Sequence, residues 1–164
     1  MRGDGQQWSS EALYTPEQRR RRDRSPWTSV QGILAPVQFL VFLVSLGLVL
    51  RFLLTGEGLW AADLSILVKT AALYAIMITG SIWEKDVFGR WLFARAFFWE
   101  DAVSMIVIAL HTAYLAMLFG GWGTADERMA VALAGYGAYI VNAGQFLIKL
   151  RAARRQEQQM VVSA

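Results

Sequence analysis

The sequence predicts an all-α integral membrane protein in which four transmembrane helices form a compact bundle, with both termini in the cytoplasm. The chain has 164 residues, is 55% hydrophobic and has a mean hydropathy of +0.35, which is too apolar for a soluble domain of this length. It contains four apolar windows, each near the ~20 residues that a helix needs to cross a bilayer. Lysine and arginine between these windows are concentrated on one side.

The predicted elements follow one another with short connections. A basic arm occupies residues 1–29, and a four-helix domain occupies residues 30–150. The predicted spans are 30–54, 64–83, 101–119 and 129–148, with a charged aromatic loop at 84–100 and a tail at 151–164. The first apolar run is too long for a signal peptide, and no small-residue cleavage site follows it. We therefore expect it to remain as a membrane helix.

The distribution of basic residues predicts the orientation. The arm carries a run of arginines, the loop carries Lys85, Arg90 and Arg95, and the tail is also basic. The opposite face has only Arg128, with Arg51 at the end of the first span. By the positive-inside rule, the arm, loop and tail face the cytoplasm. We assign the positive charge to topology and anionic lipid and expect no nucleic-acid partner, because no binding fold accompanies it.

Missing residue types exclude several kinds of chemistry. The chain has no cysteine, which excludes disulfides, iron–sulfur clusters and thiolate catalysis. His111 is the single histidine, and the Glu-x-x-His pairs of a di-iron centre are absent. The sequence therefore predicts no cofactor and no metal of the protein's own.

Polar residues within the spans mark the expected interior, because ionisable groups in hydrocarbon are costly unless they face a cavity or a partner. Helical spacing places Glu100, Ser104, Val107, His111 and Tyr114 on one face of the third span. A second stripe on the fourth span contains Tyr139, Asn142, Gln145 and Lys149, and Gln38 of the first span faces the same interior. For the amides, interhelical hydrogen bonding and lining a site are equally supported. Lys69 is expected to snorkel to the outer surface.

The segment from Trp83 to Asp101 combines acids, bases and aromatic rings. An aromatic belt and the dipole of a helix N-terminus explain part of this composition. Glu84 and Glu100 each follow a tryptophan at the end of a span, where apolar rings favour the protonated carboxyl that a general acid needs. The sequence therefore predicts acid chemistry at this end of the bundle.

Six segments resemble one protein family. They are "YTPEQRRRRD", "VQGILAPVQFLVFLVSLGLVLR", "IWEKDVFG", "FFWEDAVS", "ALHTAYL" and "NAGQFLIKLR". Together they resemble the vinyl bacteriochlorophyllide hydratase family of bacteriochlorophyll biosynthesis, from Tyr14 to Arg155. Matches of this length are too specific for generic membrane sequence.

The resemblance implies a hydro-lyase that adds water to the ring-A 3-vinyl group of chlorophyllide a or of a 3-vinyl bacteriochlorophyllide, giving a 3-(1-hydroxyethyl) group. It implies a place in the bacterial inner membrane, either cytoplasmic or intracytoplasmic and photosynthetic. The expected partners are the pigment, water and the lipid bilayer, with neighbouring pathway enzymes or a second copy of the chain as further options. The preferred macrocycle stays open.

Our hypothesis for this reaction makes Glu100 the general acid, with Glu84 as its nearest rival, and lets Asp101 hold or activate water. His111 either binds the substrate's magnesium axially or acts as a base deeper in the cavity. The remaining substrate-binding candidates are Tyr114, Asn142, Gln145 and Gln38 in the interior, Trp99 stacked on the macrocycle, and Arg90 or Arg95 paired with the propionate carboxylate. Glu100 and His111 are about 16 Å apart along a straight helix, so a vinyl group at one and magnesium at the other are difficult to combine.

Two other functions are alternatives to hydration. A noncatalytic pigment carrier or photosynthetic assembly factor would use the same histidine and aromatic rings, but it would tolerate the loss of both Glu84 and Glu100. A four-helix multidrug exporter would need a carboxylate within the membrane for proton coupling. The acids of this chain lie at span ends or in loops, which argues against an exporter.

Overall fold

The computed structural model describes residues 12–163, and within this range the chain is helical without strands. The helices are α1 (Pro16–Arg24), α2 (Pro26–Thr55), α3 (Leu59–Phe88), α4 (Phe98–Gly120) and α5 (Ala125–Val162). Helices α2 to α5 are each long and apolar enough, by length and composition, to cross a membrane. The all-α prediction with four long apolar helices is confirmed.

The helices extend beyond the predicted spans. Because α3 continues to Phe88 and α4 begins at Phe98, the predicted loop at 84–100 shortens to residues 89–97. Helix α5 continues through most of the predicted tail, and α1 lies inside the predicted arm. Glu84 and Glu100 therefore stand on helices, where their directions are set by the backbone.

Local sequence signals explain where the helices begin and end. Thr15 and Thr124 start α1 and α5 with capping boxes, in which the threonine hydroxyl accepts from a backbone N–H three residues later and a Gln or Glu side chain accepts in return. Gly56, Gly89 and Gly121 end α2, α3 and α4 with positive φ angles, which glycine adopts without steric cost. These glycines allow the sharp reversals between consecutive helices.

The four long helices form two hairpins. Helix α2 packs mainly against α3, and α4 mainly against α5, while contacts between the two hairpins are sparser and α1 lies against α3. The apolar core between them includes Phe42, Val49, Ile66, Val107 and Tyr136. Side-chain hydrogen bonds also join the hairpins, including those of Tyr136 with Ser45 and of Tyr74 with Thr112.

A smaller aromatic cluster attaches the arm to one end of the bundle. Tyr14 stacks on Phe88 and also contacts Phe97, and the Arg22 guanidinium lies 4.9 Å from the centre of the Tyr14 ring. Burial raises the pKa of Tyr14 to about 12, so the ring stays neutral in this apolar contact. Arg22 also binds Glu157 of α5 at 2.9 Å. The segment before α1 is thereby held against the end of the bundle.

Close packing of α4 on α5 depends on Gly135. A Cβ atom at this position would lie 3.0 Å from Cε1 and Nδ1 of the His111 ring. We expect Gly135→Ala to displace the imidazole and to lower stability by about 1–3 kcal/mol, as overpacking does. Thermal unfolding of the purified variants measures this change.

Gly137 provides the matched control, because a Cβ there meets nothing within 4 Å. Gly137→Ala should leave the unfolding midpoint unchanged or raise it slightly, since alanine favours helix. Equal midpoints for the two variants would contradict the packing described for His111.

Candidate functional site

Glu100 lies at the end of the bundle beside the arm, where α4 meets α5. Its side chain is buried, and its carboxylate accepts a hydrogen bond of 2.8 Å from the Lys149 ammonium. Lys149 also donates to the backbone carbonyl of Ala96. One cation from α5 therefore joins the Glu100 carboxylate to the loop that precedes α4.

A second set of hydrogen bonds fixes the backbone beneath this ion pair. The carbonyl of Glu100 accepts from Ser104 Oγ and from Asn142 Nδ2, each at 2.8 Å. Ser104 Oγ also lies 3.1 Å from Asn142 Oδ1. Asn142, predicted either to line a site or to join helices, joins α5 to α4.

An open cleft of about 390 Å³ borders Glu100, within the size range of ligand pockets. Its lining residues come from α4, α5 and the segment before α1, namely Leu13, Glu100, Gln145, Ile148, Lys149, Ala152 and Gln156. Gln145 Oε1 is buried there without a hydrogen-bond partner among the described residues. The cleft therefore combines an apolar wall with a carboxylate, an ammonium and a free amide oxygen.

Glu84 and Asp101 are also buried, and they hold the loop between α3 and α4. Asp101 accepts from the backbone N–H of Phe93 at 2.7 Å, and Glu84 accepts from that of Ala94 at 3.2 Å. Phe93 has a φ of 58°, a conformation that is uncommon for residues other than glycine. The two carboxyl groups therefore stabilise a strained loop, and neither lines the cleft beside Glu100.

Lys69 lies in the interior, and the expectation that it snorkels to the surface is wrong. Its side chain is fully buried, and its ammonium donates to Gln38 Oε1 at 2.7 Å. The same ammonium lies 3.4 Å from the centre of the Tyr139 ring, which is a cation–π contact. Gln38 and Tyr139 thus face inward as predicted, on either side of a buried cation.

His111 occupies the interior of α4 as its spacing predicts. Its ring is 1% exposed, and Nδ1 lies 2.8 Å from the carbonyl oxygen of Val107. Because a carbonyl only accepts, Nδ1 carries the proton and Nε2 presents a lone pair. Nε2 is buried and has no partner among the described residues, and His111 does not line the cleft at Glu100.

Tyr114 belongs to a separate cluster at the opposite end of the bundle. It is buried and donates to Asp63 of α3, and Arg128 of α5 lies 3.5 Å from the same carboxylate. Tyr114 therefore shares the α4 stripe with Glu100 but lies far from it along the helix axis.

The aromatic and basic candidates around the loop are at the surface. Trp99 is 70% exposed and Trp91 60% exposed, and Arg90 and Arg95 are also exposed. The structure thus brings together Glu100, Asn142, Gln145 and Lys149, and leaves the loop side chains outside this cluster. Within residues 12–163 there is no group of three or more acidic or histidine side chains that could hold a metal ion.

Two residues were not predicted from the sequence, namely Lys69 in the interior and Leu13 in the cleft. A lysine within an apolar span was itself the signal for Lys69, because charged groups at that depth are rare unless they face the bundle interior. Leu13 gave no such signal, because its place in the cleft depends on the arm folding back, with its N–H donating to Gln156 at 3.2 Å.

Comparison with known proteins gave consistent matches. The family model described as 2-vinyl bacteriochlorophyllide hydratase (BCHF) matches residues 14–152. The chain is 64% identical over 148 residues to the 2-vinyl bacteriochlorophyllide hydratase of Rhodobacter capsulatus, covering 90% of this chain and 86% of that protein. It is 66% identical over 142 residues to the protein of the same name from Cereibacter sphaeroides, covering 87% of this chain and 88% of that protein. No solved structure matches.

The loop contacts make a prediction for Asp101. Asp101→Ala removes the acceptor of the Phe93 N–H, and leaving a buried donor unpaired costs about 1–3 kcal/mol. We expect backbone hydrogen exchange at Phe93 and Ala94 to become at least about tenfold faster. Asp101→Asn, which keeps an acceptor oxygen, should restore most of the protection.

Asp86→Ala serves as the control, because Asp86 accepts from Ser25 and leaves the loop untouched. Unchanged protection of the loop in Asp101→Ala would show that the carboxylate does not hold it.

Proposed function

The chain belongs to the 2-vinyl bacteriochlorophyllide hydratase family, and from this membership we propose that it hydrates the ring-A vinyl group of chlorophyllide a or of a vinyl bacteriochlorophyllide. It is a hydratase of bacteriochlorophyll biosynthesis. The product carries a 1-hydroxyethyl group where the substrate carried a vinyl group.

The reaction requires one proton donor and one proton acceptor. A proton adds to the outer vinyl carbon, and the positive charge that forms on the inner carbon is delocalised into the macrocycle. Water attacks the inner carbon and loses a proton to a base, so that the sum of the steps is the addition of one water molecule. No electrons are gained or lost, and a general acid and base suffice.

We place this chemistry in the cleft at Glu100. The observation that carries the proposal is a buried carboxylate that lines the cleft and is held by the Lys149 ammonium. Glu100 in its protonated form delivers the proton to the vinyl group. Lys149 stabilises the carboxylate that remains, and this carboxylate then accepts the proton of the attacking water.

Glu84 and Asp101 act beside this site in a different way. Their hydrogen bonds to the loop backbone support a positioning role and weaken the earlier hypothesis that Glu84 is the acid or that Asp101 activates water. Trp91 of the loop and Trp99 at the start of α4 point outward, where the rings stack on a macrocycle that approaches from the bilayer surface.

The location we propose is the bacterial inner membrane. The outward surfaces of the long helices are apolar, with Ile33, Val44, Ile78, Ile106 and Ile140 all more than half exposed. Such surfaces suit lipid contact and would be unusual in water. The basic arm, the loop and the end of α5 face the cytoplasm, which places the Glu100 cleft on the cytoplasmic side.

Replacement of Glu100 tests the catalytic proposal. Glu100→Gln keeps the shape of the side chain but removes the proton exchange, so the rate of hydration should fall at least about 10²-fold. Pigment binding, followed by fluorescence, should remain. Product formation is measured as the mass gained in ¹⁸O-labelled water.

Glu57→Gln is the control, because Glu57 is exposed in the turn between α2 and α3. Full activity of Glu100→Gln would refute the role of Glu100, and loss of activity only in Glu84→Gln would move the acid to Glu84. Hydration that survives loss of both glutamates would exclude both of them as the acid.

Labelling of single cysteines tests the orientation, since the natural chain contains none. In right-side-out spheroplasts, a membrane-impermeant maleimide should modify Glu57→Cys and spare Gln158→Cys. Both sites are exposed, and both should react after the cells are lysed. The reverse pattern would invert the proposed topology.

A further inference from the structure

The bundle contains a cation without an anionic partner. Lys69 is completely buried, and within residues 12–163 no carboxylate forms an ion pair with it. Its neighbours are the neutral amide oxygen of Gln38 and the faces of the Tyr139 and Phe42 rings. An ammonium has three donor hydrogens, and a buried charge without a counter-ion is costly. The site is therefore electrostatically incomplete.

His111 is a second incomplete group next to Lys69. The His111 ring packs on Tyr136 with ring centres 5.7 Å apart, Tyr136 packs on Phe42, and the Phe42 ring lies 5.8 Å from the Lys69 ammonium. Nδ1 of His111 is occupied by Val107, whereas Nε2 is buried and has no partner among the described residues. Lys69 is on α3 and His111 is on α4, so the two groups belong to different hairpins, between which contacts are sparse.

We propose that Lys69 and His111 bind the propionate carboxylate of the pigment substrate while the vinyl group lies at Glu100. This inference rests on the proposed function, because a bacteriochlorophyllide carries a free carboxylate that its esterified forms lack. One carboxylate oxygen accepts from Lys69, and the other accepts from Nε2 of His111, which takes up one proton from solvent as the pigment binds. A carboxyl group thus satisfies both polar groups at once.

The spacing of the two sites agrees with this arrangement. Tyr139 contacts Lys69, and Lys149 binds Glu100. These two residues of α5 are ten residues apart and are therefore separated by about 15 Å along the helix axis. The vinyl and propionate groups project from different rings of the macrocycle, so one pigment presents the two groups at separate positions. The macrocycle lies in the Glu100 cleft, which α4, α5 and the segment before α1 line, and its propionate reaches Lys69 past the sparse contacts between the two hairpins.

The arginines of the loop are poorer partners for the carboxylate. Arg90 and Arg95 are exposed, and ion pairs in water contribute about 0–1 kcal/mol. A carboxylate buried beside Lys69 forms a stronger contact because water does not compete for it. Lys69 therefore selects the free acid over the ester.

The test compares two probes, chlorophyllide a and its methyl ester. The full-length protein in lipid nanodiscs should bind the acid about tenfold or more tightly than the ester, as expected for a hydrogen bond to a charged group. Lys69→Met, which keeps the length of the side chain, should bind both probes with equal affinity. Lys69→Arg, which keeps the charge, should retain the preference, and this result also reports a folded site. Fluorescence quenching measures the dissociation constants.

Lys85→Met is the matched control, because Lys85 is exposed on the same helix. This variant should prefer the acid over the ester as strongly as the natural protein does. Equal binding of acid and ester by the natural protein would overturn the proposal. So would a preference that survives in Lys69→Met, or one that disappears in Arg90→Gln or Arg95→Gln.

Activity assays keep this proposal separate from the proposed function. At saturating chlorophyllide a, Lys85→Met should hydrate the vinyl group at a rate within a few-fold of the natural protein, because Lys85 is exposed and lies outside both proposed sites. Absence of hydration of either pigment by the natural protein would refute the function, while the ratio of dissociation constants would still test the role of Lys69.

Discussion

Polar side chains buried between two helical hairpins are the constraint on which the rest of this structure depends. A buried donor or acceptor without a partner costs about 1–3 kcal/mol, so a bundle that encloses such groups must align the helices to pair them. Tyr136 pairs with Ser45, and Tyr114 pairs with Asp63. Each pair joins the α2–α3 hairpin to the α4–α5 hairpin. These contacts set the register of the two hairpins, where apolar packing alone would allow sliding.

The same constraint explains why the reactive groups gather at one end. Lys149 and Asn142 on α5 hold the side chain and the backbone of Glu100 on α4, and Glu84 on α3 holds the loop that precedes α4. Three helices therefore determine the position of one carboxylate. The role of proton donor that we propose for Glu100 needs such fixed geometry.

Periodicity predicted the parts of the molecule that depend on a single helix. The stripe of Glu100, Ser104, Val107, His111 and Tyr114 is buried as expected, because side chains three and four residues apart share a helix face. The four apolar helices followed from length and composition. The burial of Lys69 could not be predicted from periodicity. Whether a lysine snorkels depends on which helices surround its side chain, and the pattern of a single helix does not contain that information.

The contacts that the loop and the arm make could also not be predicted from the sequence. The hydrogen bonds of Asp101 and Glu84 depend on the left-handed conformation of Phe93. No turn signal in that segment predicts this conformation. Leu13 reaches the cleft because Tyr14 is anchored on Phe88, and this long-range contact has no local pattern.

A structure of the protein with bound chlorophyllide a tests the central claim most directly. We expect the macrocycle to lie in the Glu100 cleft, with the outer carbon of the vinyl group in contact with the Glu100 carboxyl and the propionate at Lys69. A pigment bound only on the outer surface of the loop, with its vinyl group away from Glu100, would contradict the account.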